Sequence, residues 1–120
     1  MVLVDTNAWI GHLRARDPRL VRLLSDQRVH TTDVIIGELL LGSGLPPLFA
    51  RSLQALPRLT SPSGSETHEF VVRHARVLAG AGVGWADVQI LISALKHGAR
   101  LYTSDAAARR VARSVGAALA

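Results

Sequence analysis

The chain is 120 residues long, enough for a real core in one domain over 1–120 and too short for a second. Its 48% hydrophobic content argues against disorder, the absence of cysteine excludes a disulfide framework and a thiolate zinc site, and no stretch nears the roughly 18 uninterrupted apolar residues of a membrane span. Fourteen basic residues oppose nine acidic ones for a formal net charge of +5, and all but Lys96 are arginine, whose planar, permanently charged fork suits a polyanionic partner.

The apolar start predicts a strand over about Val2 to Val4 that halts on Asp5, Thr6 and Asn7, with a helix from about Asn7 to Arg14. PRLVRLLSD opens on Pro18, a good first-turn residue, and reads as a second helix. A short strand near Arg28 to Thr31 leads into DVIIGELLLG, a helix closed by Gly42. GSGLPP and PRLTSPSGS are Gly-, Pro- and Ser-rich connections, the second with room for a brief strand in PRLTS; PLFARSLQAL between them is an amphipathic helix. The longest helix is expected from about Glu66 to Ala79, where Glu69 and Arg73 stand one turn apart. Helix DVQILISALKHG, strand ARLYTS, helix DAAARRVARS and a last edge strand, VGAAL, complete the chain. Short strands alternating with helices imply an α/β fold with a parallel sheet covered on both faces, whose ligands lie beyond the carboxyl ends of the strands. Asp5 and Asp105 fall at two such ends. No basic-then-apolar leader precedes the first strand, so a cytoplasmic protein with no membrane attachment is expected.

Four acids stand in unusual company. Glu38 shares its helical face with Val34, Ile35, Leu41 and Gly42, where an unpaired carboxylate is costly and a metal is one standard solution; the alternative is a helix exposed enough for Glu38 to reach water. Asp87 heads an apolar helix and Asp105 follows a strand into a helix, and for each alone capping is sufficient explanation. Asp5 alone could equally end a turn. Taken together, clustered carboxylates would repel one another without a cation, and hard cations such as Mg²⁺ take oxygen ligands. Asp17, Asp26, Asp33, Glu66 and Glu69 lack this character. None of the five histidines forms HExxH or another metal-spaced pair.

The blocks VDTNAWI, IIGELLLG, GVGWADVQILISAL and LYTSDAAARRVA, in this order and spanning nearly the whole chain, resemble those of PIN-domain ribonucleases, specifically VapC-type toxins of bacterial toxin–antitoxin pairs. The resemblance implies a three-layer α/β/α sandwich, a Mg²⁺ site that Mn²⁺ could also fill, and endonucleolytic cleavage of RNA. It assigns the catalytic, metal-holding acids to Asp5, Glu38, Asp87 and Asp105, with Thr6, Asn7 and Ser104 as small polar supports. Many members carry a further acid where this chain has Ala107, which points to a single metal ion. By the same likeness the toxin would dimerise, and a VapB-like antitoxin would block the acids from a groove between PRLVRLLSD and PLFARSLQAL.

Arg14 and Arg16, with Arg19 and Arg22 close by, follow the first acid, and Arg109, Arg110 and Arg113 follow the last, where either group could hold RNA phosphates or simply form a solvated helix face. Trp9, Trp85 and Tyr102 are expected in or at the edge of the core. Two rival classes remain. A haloacid dehalogenase-like phosphatase also starts on a strand-end Asp, but wants an acid where this chain has Asn7 and a lysine that only Lys96 could supply. A non-catalytic PIN-like module binding RNA or protein would keep RNA affinity in EDTA and yield no fragments.

Overall fold

A computed structural model describes residues 1–42 and 44–120; the expected GSGLPP connection contains Ser43, which lies outside them. The elements run β1 (Val2–Val4), α1 (Thr6–Arg14), α2 (Pro18–Ser25), β2 (Val29–His30), α3 (Asp33–Leu41), α4 (Pro47–Gln54), α5 (Gly64–Arg73), α6 (Ala75–Leu78), α7 (Trp85–His97), β3 (Arg100–Tyr102) and α8 (Ala106–Ser114). The sheet is parallel throughout, in the order β2-β1-β3, with Val2 opposite Val29 and Arg100, and Val4 opposite Tyr102. Successive strand residues face opposite sides, yet Val2, Leu3 and Val4 are all buried, so helices cover both faces of the central strand. This is the expected α/β/α sandwich.

Local chemistry fixes the helix ends. Asp5, Asp17, Thr32, Ser63 and Asp105 each accept a hydrogen bond from a first-turn N–H of the helix they precede, and Pro18 occupies the first turn of α2. Gly98 ends α7 at φ 64°, a left-handed cap that glycine adopts without a Cβ penalty.

Gly42 closes α3 as expected, its N–H donating to Glu38 O (3.1 Å), in an extended conformation (φ −69°, ψ 164°) and not a left-handed one. Other expectations are corrected. The helix expected over 66–79 is two, α5 and α6, because His74 leaves helical geometry (φ −107°, ψ 27°) with its ring against Phe70, 4.3 Å between centroids; α6 then turns Leu78 into the core. The longest helix is instead α7, with 13 residues. PRLTS and VGAAL give only single bridges, Thr31 to Arg58 and Leu101 to Leu119. Trp9 is buried between Phe49 and His12, as expected, whereas Trp85 is 51% exposed at the start of α7.

Candidate active site

Parallel pairing brings the carboxyl ends of β1 and β3 side by side: Asp5 N–H donates to Tyr102 O (2.9 Å), which sets Thr103 next to Asp5. Asp5 is only 4% exposed and both its oxygens are used. Oδ1 accepts from Thr6 N (2.8 Å) as the cap of α1, and Oδ2 accepts from the Thr103 hydroxyl (2.8 Å). Capping and site-building are therefore the same residue's work. Thr6 also donates its hydroxyl to Glu38 Oε1 (2.7 Å), tying α3 to the strand end. Asp87 shares with Asp5 a narrow space of about 10 Å³ walled by Val83, Val88, Ile90 and Leu91, room for about one water.

Burial in that apolar setting pushes the Asp5 carboxyl above its ordinary 3.8; the hydrogen bonds from Thr103 and Thr6 oppose the rise, and the nearby charges of Asp87 and Glu38 add to it. Two of the other sequence-proposed acids thus act on Asp5. Asp105 stands apart from that set: its Oδ1 accepts from Ala107 N (3.1 Å) as the cap of α8. It is linked to Asp5 through Thr103, whose hydroxyl oxygen accepts from Asp105 N (3.2 Å). Asp87 Oδ2 accepts from Gly84 N (2.8 Å), the backward half of a capping box. Each of Glu38, Asp87 and Asp105 keeps one oxygen without a hydrogen-bond partner among the described residues. The apolar stripe around Glu38 is only half buried, because the last turn of α3 is uncovered: Leu41 is 91% exposed and Glu38 itself reaches solvent.

The donor set suits a hard cation. It offers carboxylate oxygens only, and neither ion pair among the described residues, Arg58–Asp33 or Lys96–Glu66, neutralises any of the four acids. Among the described residues no three Asp, Glu or His side chains converge tightly enough to hold a metal directly. A hard cation there would have to keep some of its own waters between itself and these acids.

The remaining residues divide. Asn7 lies exposed in the first turn of α1, and Ser104 is exposed in the β3–α8 connection. Arg14 lines a cavity of about 330 Å³ together with Glu38, Ile10, Leu13 and Leu45, while Arg16, Arg110 and Arg113 point to solvent. Arg109 is half-buried, with Nη1 donating to Thr103 O (3.3 Å).

Residues 2–114, nearly the whole chain, match the PIN domain family. The chain belongs to the PIN-domain family. It is 41% identical to Ribonuclease VapC32 of two Mycobacterium tuberculosis strains, CDC 1551 / Oshkosh and H37Rv, over 128 aligned positions that cover all of this chain and 97% of each relative. Its fold is similar to the crystal structure of FitAcB from Neisseria gonorrhoeae, with a TM-score of 0.69 and 22% identity over 99% of this chain and 96% of that one. Within this PIN domain the residue that sequence reading missed is Thr103. A signal for it exists: two residues beyond the buried Leu101, it is a polar side chain on the inward face of the strand.

Proposed function

We propose that this PIN domain is a VapC-type toxin, a metal-dependent endoribonuclease that hydrolyses phosphodiester bonds of RNA and so inhibits translation or growth. The observation that carries the reading is the buried Asp5 carboxylate, fixed by Thr103 and Thr6 while facing the like charges of Asp87 and Glu38, with no basic side chain paired to them among the described residues. A bound Mg²⁺, or Mn²⁺ in its place, supplies Lewis acidity toward a phosphate oxygen and makes a neighbouring water more acidic. Asp5, Glu38, Asp87 and Asp105 would hold it, partly through water. The chain's own part is to orient the acids: Thr103 and Thr6 hold Asp5 and Glu38 in place, and a free carboxylate oxygen of Glu38, Asp87 or Asp105 takes the proton of the attacking water. Water oxygen bonds to phosphorus, the P–O ester bond breaks, and the leaving oxygen gains a proton from solvent.

The same reading gives the protein a cytoplasmic place, a VapB-like antitoxin and a homodimeric state. Support for a protein partner is exposed apolar surface: Ile10 and Leu13, which line the cavity that holds Glu38, and Leu40, Leu41 and Leu48 on α3 and α4. It comes from α1, α3 and α4 rather than from α2, whose Leu20 is buried. Among the described residues no helix is long and apolar enough to cross a membrane.

The test is cleavage of a mixed RNA pool by the purified chain with Mg²⁺, with Mn²⁺ and with EDTA, beside Asp5→Asn. Fragments that need the metal and vanish in the variant support the nuclease. RNA binding that survives EDTA without any fragment turns the reading to a non-catalytic module.

A further inference from the structure

Thr103 also borders an open cavity of about 360 Å³, enclosed by the α1–α2 corner and the β3–α8 connection. Its walls include Asp17, Arg19, Tyr102, Thr103, Ser104 and Arg109. Gly11 and Ala15 leave the α1 side of it open, since neither carries a side chain beyond a methyl.

Both guanidinium groups are held in place by contacts that leave their charge unspent. Arg109 is anchored by the Thr103 carbonyl. Arg19 lies over the Tyr102 ring, 5.3 Å from its centroid, and Tyr102 is fixed in turn by donating its hydroxyl to Asp17 Oδ2. Neither arginine forms an ion pair among the described residues. The one acidic side chain in the wall, Asp17, is already engaged: it accepts from Tyr102, from Arg19 N (3.0 Å) and from Leu20 N (3.3 Å). Ala120 also borders the cavity, and against it and Asp17 stand two guanidinium forks, whose geometry matches phosphate oxygens. Thr103 forms part of this wall and also holds Asp5, so whatever fills the cavity sits one residue's width from the acids.

We propose that this cavity seats a backbone phosphate of the RNA strand next to the one being cleaved, gripped from two sides by Arg19 and Arg109. The proposal rests on the ribonuclease reading and narrows it: of the many arginines, these two position the substrate, and they do so on a phosphate rather than on a base. Arg16, Arg110 and Arg113 are exposed and do not line this cavity, and contribute only to the general field.

The test uses the wild-type chain with Mg²⁺ on a defined RNA that it cleaves, with kcat/KM followed across salt concentration. Arg19→Gln and Arg109→Gln should each lower kcat/KM about 3- to 10-fold, and make its salt dependence shallower by about 0.7 in log–log slope, the value for one phosphate on a single strand. The double variant should lose that same slope once, because both side chains serve one phosphate. Arg19→Lys should retain the slope, as should Arg51→Gln and Arg76→Gln on α4 and α6. A neutral methylphosphonate linkage, moved along the RNA, should weaken wild type at one position and leave Arg19→Gln unaffected there. That comparison carries the test alone should Arg109→Gln fold poorly for want of its Thr103 contact. Wild-type slope in both glutamine variants, or equal sensitivity of wild type and Arg19→Gln at every neutral linkage, overturns the subsite while cleavage by wild type leaves the ribonuclease standing. A wild type that cuts no RNA removes both.

Discussion

Replacing Thr103 with valine exchanges a hydroxyl for a methyl of nearly the same shape, so no cavity opens and the change removes only the hydroxyl's two hydrogen bonds, the one donated to Asp5 and the weaker one accepted from Asp105 N. The Thr103 hydroxyl donates to the Asp5 carboxylate at 2.8 Å, in a site where Asp5 is 4% exposed. A hydrogen bond to a charged partner is worth about 1.5–3 kcal/mol, and its loss here leaves the other group buried, so we expect Thr103→Val to cost about 2–3 kcal/mol in urea unfolding at neutral pH. The cost should depend on pH, and the sign follows from linkage. Burial raises the folded pKa of Asp5 above 3.8, so Asp5 contributes stability that declines as pH rises from 3.8 through that folded value. Thr103 holds the rise in check; without it the decline extends to higher pH. The variant should therefore be close to wild type in acid, where Asp5 is protonated, and fall furthest behind above the folded pKa. Fluorescence of buried Trp9 reports the transition, and EDTA keeps any cation from contributing. Thr103→Ser, which keeps the donor, should recover most of the loss. An equal deficit in acid and at neutral pH, shared by the serine variant, would mean that Thr103 contributes packing and not support of a charge.

Tyr102 is the one tyrosine, so its phenolate absorbance titrates a single site. Burial and the Asp17 carboxylate push its pKa up to about 12; stability from this pair is present below 10 and lost as pH rises toward that value, and Asp17→Asn should bring the titration back toward 10. At the acid end, the Tyr102 hydroxyl holds Asp17 below 3.8, so Tyr102→Phe should cost under about 1 kcal/mol near neutrality and nothing once Asp17 is protonated, as acid-side unfolding curves will show. Asp5→Asn removes a buried charge repelled by Asp87 and Glu38, and in EDTA should raise the urea midpoint at neutral pH while cutting cleavage about 100-fold or more. Gly98→Ala, at φ 64°, should lower stability by about 1 kcal/mol with cleavage per folded molecule unchanged, measured by thermal unfolding and by RNA turnover.

Much of this architecture is legible in the sequence because local chemistry agrees with the final packing. Pro18 behind Asp17, the apolar length of α7 and the uniformly apolar β1 leave few alternatives. The misreadings are cases where tertiary context decides. Nothing in the local pattern around His74 shows that the helix must break there to bring Leu78 inward. Trp85 and Leu41 are apolar residues whose exposure depends on which neighbours stop short. At the site, the four acids stand out in the sequence as charges in unusual company, but that Asp87 and Glu38 act on Asp5 while Asp105 is linked to it through Thr103 follows from tertiary packing. Thr103 escaped for the same reason, since its partner is 98 residues away. Of the arginines, sequence gives only clusters; the stacking of Arg19 on Tyr102 depends on β3 meeting the α1–α2 corner.

The central strand of the sheet comes from the first residues of the chain, and one of its two neighbours comes from residues 100–102. During synthesis β1 must wait for most of the polypeptide before that side can pair, and such long-range closure is intrinsically slow. Asp5 is made almost at once but gains its Thr103 hydroxyl only when residue 103 has emerged. A nascent or truncated chain lacking its last segment therefore carries Asp5, Glu38 and Asp87 without Thr103 and Asp105. On the ribonuclease reading proposed above, this order of assembly holds back a competent site until translation is nearly done.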